Sequence, residues 1–442
     1  MRTRQASRAV GTAAALGLLL TACGAPDDDG TRGEKQDAAS DCDTYSEYGT
    51  FDDETVEIIS TIRGEEGDEM EAAWSDFAEC VGIDIQHEGT GEMEAILRQR
   101  VDGGSAPDIA MIPQPGLMRN FKDDLVPAPD DLYERAQEGW TDDWLDYGTI
   151  DGEFYAAPHS GNAKSFVWYS PSVFEENDYE IPQTWDEMIA LSDRMLADGI
   201  APWCVGSGSD QATGWPITDW IEDVVLREDV ALYDDWVTND AEFTDPRIKA
   251  AFEKAGTILT NDDYVYGGTE LISSTDFKVA ALPILDGECG MHRQASFLGW
   301  EEDVDVSEDG DVFVFRFPET NEGDNRMLIG GEFVAAFDGR DAVEAVRMYL
   351  ASQFYHDNRL STGPWTTARQ GVDPSNATTA VNEFATEIVS DPAVTVRFDG
   401  SDLMPGEVGA SVYWEAVTAW TDGDKDLDRV LADVQSAWDE LK

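Results

Sequence analysis

The chain has 442 residues, with 92 acidic against 29 basic side chains and a formal net charge of −63. Its length suits two lobes of ordinary domain size better than one small core. The acidic excess argues against nucleic acid as a partner, because neutralising phosphates requires basic patches that the sequence lacks.

The N-terminus has the pattern of a secretory signal peptide over residues 1–22. Three positive charges precede a short apolar segment, which is too short to stay in a membrane as a span. The tetrad that ends at Cys23 reads LTAC and resembles a bacterial lipobox, which implies cleavage before Cys23 and a lipid on that cysteine. An ordinary soluble secreted protein is the alternative. Residues 23–53 have few apolar anchors and are predicted to form a flexible tether.

After the tether, strand and helix patterns alternate. Residues 55–62, 83–87 and 109–112 have strand patterns, and the two segments between them place apolar residues on one helical face. Gly82 and Gly103 end these helices. The order strand, helix, strand, helix, strand implies right-handed crossovers and a parallel, doubly wound sheet.

The stretch 158–199 reads as a strand that leaves one lobe, followed by a capped helix in another. Residues 165–169 are aromatic and β-branched, which favours a buried strand. Thr184 and Glu187 have the spacing of a capping box, and apolar residues then follow at helical spacing. The predicted helix ends at Gly199.

Several segments resemble the family 1 extracellular solute-binding proteins of ABC importers, which are maltose-binding-protein-like carbohydrate receptors. They read RVDGGSAPDIAMIPQPG, DGEFYAAP, YSPSVF and PQTWDEM; a second set, APWCVGSGSDQATGWPITDWIEDVVL, FTDPRIKAAFEKAGTIL and ECGMHRQASFLG, resembles the subgroup that imports α-glucosides and other oligosaccharides. The resemblance spans nearly the whole mature chain. It implies an α/β, two-lobed Venus-flytrap fold in which each lobe is a mostly parallel sheet flanked by helices.

The resemblance also implies where the chain crosses between the lobes. The crossings fall at 165–169 and 312–317, and 327–337 would be a strand of the first lobe. The predicted lobes are 54–165 with 313–338, and 166–312 with 339–442.

Four cysteines remain if Cys23 carries a lipid, and an oxidising compartment favours disulfides among them. On this lobe division, bonds from Cys42 to Cys80 and from Cys204 to Cys289 would leave the lobes free to move, whereas either other pairing would join them. Four reduced thiols are the alternative. No cysteine or histidine spacing resembles a zinc site, and the sequence predicts no metal and no cofactor.

A pyranose has apolar C–H faces and a rim of hydroxyl groups, so its site needs flat aromatic side chains and paired hydrogen-bonding groups. Three tryptophans in glycine- or proline-containing loops can supply the flat aromatic side chains. The alternative is that these tryptophans only pack against the rest of the protein. Polar side chains near predicted strand ends can supply the hydrogen-bonding groups, although surface salt bridges are the alternative interpretation. Gln294 is a further polar candidate. The predicted ligand-binding residues are Arg63, Gln114, Trp215, Arg293, Glu332, Trp365, Arg369 and Trp414.

These features predict a monomeric, lipid-anchored receptor on the extracellular face of the membrane. It would capture an α-glucoside such as trehalose, maltose or sucrose between the lobes and deliver it to the permease of an ABC importer. The alternatives are the same fold with a polyol, peptide or osmolyte, and a secreted glycan hydrolase with paired carboxylates. No nucleophile elbow, metal motif or catalytic triad supports an enzyme.

Overall fold

The computed structural model describes residues 42–301, 303–321 and 323–441 of the protein. The predicted signal peptide, the predicted lipid attachment at Cys23 and the predicted tether as far as residue 41 lie outside these described residues. None of the helices in the described ranges combines the length and the apolar character that crossing a membrane requires.

Strands and helices alternate along the described chain. The strands are β1 (Glu54–Ser60), β2 (Ile83–Gly89), β3 (Ile109–Ile112), β4 (Thr149–Ile150), β5 (Glu153–Phe154), β6 (Ala156–Pro158), β7 (Asn162–Ala163), β8 (Phe166–Tyr169), β9 (Ala201–Trp203), β10 (Cys289–Arg293), β11 (Phe313–Arg316), β12 (Arg326–Gly330), β13 (Phe333–Ala336) and β14 (Thr395–Phe398). The helices are α1 (Glu65–Val81), α2 (Met93–Asp102), α3 (Pro115–Met118), α4 (Asp130–Gln137), α5 (Asp142–Tyr147), α6 (Pro171–Glu176), α7 (Trp185–Asp198), α8 (Trp215–Glu228), α9 (Val230–Val237), α10 (Pro246–Leu259), α11 (Asp341–Leu350), α12 (Gln353–Leu360), α13 (Ala380–Ser390), α14 (Gly400–Leu403), α15 (Trp414–Thr421) and α16 (Leu427–Asp439).

The first sheet has five strands in the order β2-β1-β3-β13-β6. β1 runs parallel to β2 and β3, as the predicted alternation of strands and helices requires. β13 is antiparallel to both β3 and β6. Apolar side chains of α1 and α11 share one core with this sheet, in which Val56 and Ile58 join Phe77 and Val346.

A second sheet has the order β11-β8-β10-β9, and a third has the order β14-β12-β7. In the second sheet β8 is antiparallel to both neighbours, while β9 is parallel to β10. Helices α7, α8 and α10 contribute to the core against it, where Trp203 and Trp220 make an edge contact with their ring centroids 4.9 Å apart. The third sheet joins strands from three distant parts of the chain.

Several features differ from the predictions, and two of them concern the lobe division, whose boundaries stay a prediction. β11 pairs with β8 in the second sheet, and α11 packs on the first sheet. The predicted strand 327–337 is two strands, because β12 pairs in the third sheet and β13 in the first. Between them Gly331 packs closely, since a Cβ there would lie 2.3 Å from the carbonyl oxygen of Ser160. The sheets are also mixed rather than mostly parallel, since β13 pairs antiparallel with β3 on one side and with β6 on the other.

The local predictions around α7 and the cysteines are confirmed. Thr184 and Glu187 form the capping box, and Gly199 ends the helix in the left-handed conformation with φ 88°. Cys42 is bonded to Cys80 and Cys204 to Cys289, with Cα atoms 5.2 and 5.8 Å apart. Each bond therefore ties together neighbouring elements of one sheet-and-helix unit.

Candidate ligand-binding site

An enclosed space of about 160 Å³, here called the inner cavity, lies where the first sheet faces α8, α14 and α15. The loops that follow β1 and β3 line it through Arg63 and Gln114. Parallel strands present their carboxyl ends at one edge of a sheet, and ligands bind beyond that edge in doubly wound folds. The position of the inner cavity is therefore the one that the strand order predicts.

Aromatic rings form one side of the inner cavity. Trp215 opens α8, and its ring centroid lies 5.1 Å from that of Phe277 and 6.0 Å from that of Phe297. Trp414 opens α15 beside it. The two helices approach closely because Gly214 has φ 114°, and a Cβ on it would lie only 2.4 Å from the carbonyl oxygen of Trp414.

Two buried polar atoms in the lining have no protein partner among the described residues. Gln114 is 5% exposed and Trp414 is 4% exposed. The Nε2 of Gln114 donates to Glu94 Oε1 at 3.0 Å, which leaves the Gln114 Oε1 acceptor unpaired, and the Trp414 Nε1 donor is unpaired too. Buried polar groups are nearly always satisfied, so these two atoms of lining residues are exceptions.

The glutamate carboxyl groups in the lining are shifted toward their neutral form, whereas Lys164 outweighs burial and lowers the pKa of Asp399. Burial raises the pKa of Glu332 to about 7, against the opposing effect of Ser160, whose hydroxyl donates to Glu332 Oε2. Burial also raises the pKa of Glu66 and of Glu94. A protonated carboxyl can donate as well as accept, which suits a ligand rich in hydroxyl groups.

Lys164 supplies the positive charge at the base of the inner cavity. Its ammonium contacts Asp399, lies 3.3 Å from Asp219 Oδ1 and 3.9 Å from Asp402 Oδ2, and stands 5.2 Å from the centroid of the Trp215 ring. Burial works against the charged form, but the three carboxylates outweigh it and hold the pKa of Lys164 well above its usual value. Lys164 therefore fixes Asp399 and Asp402 in the lining.

Three carboxyl groups beneath the cavity, on Asp219, Glu222 and Asp399, have oxygens within 4.8 Å of one another. Glu222 accepts hydrogen bonds from the backbone N–H groups of Gly400 at 2.6 Å and Ser401 at 3.0 Å, while Lys164 contacts the other two. Because the protein itself supplies these positive partners, we assign no metal to this group.

Five of the predicted ligand-binding residues line the inner cavity and three do not. The five are Arg63, Gln114, Trp215, Glu332 and Trp414.

The other three are buried in ionic or aromatic packing. Arg293 forms ion pairs with Asp219 at 3.0 Å and with Asp223, so its guanidinium is satisfied behind the lining. Trp365 packs against histidines, with His356 5.3 Å away between ring centroids. Arg369 is buried against the backbone of Gly139. Loop position alone does not distinguish these side chains from those that reach the cavity.

Sequence reasoning did not single out several lining residues. Asp399 directly follows β14, so recognising that strand would have drawn attention to it. Lys164 precedes β8 by two positions and lies just before the predicted crossing at 165–169. Phe277 and Phe297 lie in loops with no periodic pattern, and no signal in the sequence marks them.

An ion pair closes one end of the inner cavity. Arg63, after β1, lies 3.1 Å from Asp210 across the cleft, and Gln211 Nε2 lies 3.5 Å from Glu92 Oε1 beside it. Asp210 holds a positive φ of 50°, a conformation that costs a non-glycine residue energy. Gly91 fits between these side chains, since a Cβ there would lie 1.9 Å from Arg63 Nη1.

The chain is similar to known solute receptors in sequence and in fold. Residues 63–352 match the family described as bacterial extracellular solute-binding protein. The osmoprotective compounds-binding protein GgtB of Synechocystis sp. is 35% identical over 397 residues, which cover 88% of this chain and 94% of that relative. The alpha-glucosides-binding periplasmic protein AglE of Rhizobium meliloti is 33% identical, over 88% of each chain.

Among solved structures, the bacterial solute receptor AcbH, which has a substrate preference for β-D-galactopyranose, superposes with a TM-score of 0.73 at 17% identity. The match covers 88% of this chain and 98% of that one, and it shows the two-lobed fold. The family match covers more than half of the chain, and each of the two relatives matches 88% of it. The chain therefore belongs to the bacterial extracellular solute-binding proteins, which are receptors of ABC importers for sugars and related solutes rather than enzymes.

Proposed function

We propose that this receptor captures a neutral α-glucoside, such as trehalose, maltose or sucrose, and delivers it to the permease of its importer. The observation that carries this proposal is that aromatic and polar side chains line one cavity together. Trp215 and Trp414 offer apolar faces, while Gln114 Oε1 and Trp414 Nε1 have no protein partner in the described part of the chain. A sugar ring supplies both an apolar C–H face and hydroxyl groups that donate and accept.

The charges of the lining support a neutral ligand over an anionic one. Five carboxyl groups line the inner cavity, on Glu66, Glu94, Glu332, Asp399 and Asp402. The three cations that line it are Arg63, Lys164 and Lys278, and the first two already contact carboxylates. An added anion would have to compete with these carboxylates for Arg63 and Lys164, which costs energy in a partly desolvated site.

An osmoprotective solute is the second candidate. The relative GgtB, whose name specifies osmoprotective compounds, matches 88% of this chain at 35% identity. A small polyol or a glycosylated polyol would also satisfy the unpaired acceptor and donor, because it presents hydroxyl groups. It would make less use of the aromatic faces than a sugar does.

We further place the receptor as a monomer on the extracellular face of the membrane, with a lipid on Cys23. The support is the LTAC tetrad after a short apolar segment, followed by a polar tether. An anchored receptor keeps its ligand close to the permease while it turns freely on the tether.

A thermal-shift panel tests the ligand proposal. The purified protein is heated with trehalose, maltose, sucrose, mannitol and glycine betaine in separate samples. A ligand at 100 times its Kd stabilises the folded state by about 2.7 kcal/mol, which is a readily measured rise in Tm. We expect at least one of the three α-glucosides to raise Tm more than mannitol and betaine do. A rise with mannitol or betaine alone favours the osmoprotective candidate, and no rise with any of the five contradicts both.

A further inference from the structure

The inner cavity is small compared with the ligands proposed for it. It measures about 160 Å³, close to the engineered cavity of about 150 Å³ that holds a single benzene in another protein. Binding sites for small molecules usually measure about 300 to 1,000 Å³. The inner cavity is therefore sized for one six-membered ring, and a second ring has to lie outside it.

A larger space of about 610 Å³, here called the outer chamber, adjoins the inner cavity. Four residues line both spaces, namely Arg63, Glu66, Lys278 and Phe297. The two spaces are thus neighbours across a shared boundary that carries both charged and aromatic groups. Their combined size falls within the usual range for a binding site.

The outer chamber has the groups that a second sugar ring requires. Trp300 lines it and offers an aromatic ring, which packs against the buried Trp168 with ring centroids 5.7 Å apart. Glu66 and Glu69 supply carboxyl groups, and burial raises the pKa of each. Leu282 adds apolar surface and is 43% exposed.

We infer that the outer chamber binds the second sugar ring of the ligand, with Trp300 as the residue that determines preference for a two-ring solute over a one-ring solute. This inference rests on the proposed function. The first ring lies between Trp215 and Gln114 in the inner cavity, and the second passes the boundary at Phe297. Length selection is then a property of the outer chamber, while recognition of the first ring is a property of the inner cavity.

Calorimetry with one-ring and two-ring probes tests the inference. The probes are methyl α-D-glucopyranoside, trehalose, maltose and sucrose, each titrated into the parent and into Trp300→Ala. In the parent we expect at least one two-ring probe to bind ten times or more tighter than the one-ring probe. In Trp300→Ala this ratio falls to threefold or less, while the one-ring affinity changes less than twofold.

Leu282→Ala gives an independent check, since its partly exposed side chain can be shortened with little risk to folding; we expect a loss of threefold or more for the two-ring probe alone. Phe354→Ala is the matched control, because Phe354 is 47% exposed and lines neither space. Equal binding of one-ring and two-ring probes by the parent, or equal weakening of both in the two outer-chamber variants, overturns the inference while leaving the proposed function intact. A folded parent that binds no probe contradicts the proposed function itself.

Discussion

Trp215 and Trp414 reach the inner cavity from different helices, so each can contact a different face or edge of one ring. Trp215 is the first residue of α8, where the side chain points back over the preceding loop. Trp414 instead follows a π-helical segment over Val408–Tyr413 that continues directly into α15. Trp365 has a similar glycine- and proline-containing surrounding in sequence, but its ring is enclosed by histidines and Arg359. Trp215 and Trp414 can therefore contact a ligand, whereas the ring of Trp365 is already covered by other side chains.

Alanine variants separate these roles. We expect Trp215→Ala and Trp414→Ala each to cost about 2 kcal/mol of binding free energy or more, roughly thirtyfold in Kd, because each removes an apolar face from the site. Trp365→Ala is the comparison: it should lower the free energy of unfolding and leave Kd within a few-fold of the parent. Calorimetry with the ligand found by thermal shift measures Kd, and urea unfolding measures stability. Unchanged Kd in both cavity variants, with folding intact, would contradict this site.

At the scale of elements, the site depends on how closely helices approach one another. The N-terminus of α8 lies against α15, and Gly116 of α3 lies against α14, where a Cβ would stand 1.7 Å from the carbonyl oxygen of Met404. Glycine at these two positions leaves room for backbone against backbone. The helices that carry Trp215, Trp414 and Asp402 are thereby held next to the loops that follow β1 and β3.

Gly214→Ala tests this dependence. Alanine there would combine a strained φ of 114° with a Cβ 2.4 Å from the carbonyl oxygen of Trp414, so α8 and α15 must separate. We expect a loss of more than about 2 kcal/mol in unfolding free energy and at least tenfold weaker binding. Gly423→Ala is the matched control, because Gly423 has φ 77° but no atom within 4 Å of the added Cβ. It should lose about 1 to 2 kcal/mol and keep its affinity, and an equal loss of binding in both variants would refute the explanation.

At the scale of the whole molecule, contacts across the cleft hold a closed arrangement. Arg63 and Asp210 pair from opposite sides of the inner cavity, and Asn120 donates to Glu407 at 3.1 Å further along the cleft. Both contacts are exposed, and exposed pairs contribute about 0 to 1 kcal/mol each. Such weak contacts favour closure only modestly, so a ligand that touches both sides can shift the balance between open and closed states.

The location of the whole molecule is testable through its N-terminus. We expect mature protein in the membrane fraction to begin at Cys23 and to carry a lipid mass on that residue, because LTAC follows a short apolar segment. Intact-mass and peptide mass spectrometry measure this. Cys23→Ser should move the protein from the membrane fraction to the medium, whereas Thr21→Ser, a small change before the cut, should leave it in place. An unmodified N-terminus downstream of Cys23 in freshly made protein would contradict the anchor.

Features that depend on residues close together in the chain, such as helix starts and the order of strands and helices, could be predicted from the sequence. Thr184 and Glu187 predict the start of α7, because a capping box is formed by two residues that are three positions apart. The alternation of strands and helices predicts β1, β2 and β3 in parallel, and with it the edge at which Arg63 and Gln114 meet the inner cavity. Local spacing carries this information because the interactions involved are local.

Only the tertiary structure decided which distant side chains share the inner cavity. Arg293 and Arg369 are as polar in sequence as Arg63, yet the first is neutralised by Asp219 and Asp223 and the second is buried beside Gly139. Lys164, Asp399 and Phe297 come together through strand pairing and helix packing over more than a hundred residues of chain. The reason is physical: burial and charge pairing depend on neighbours in space, and these neighbours exist only once the sheets and helices have packed.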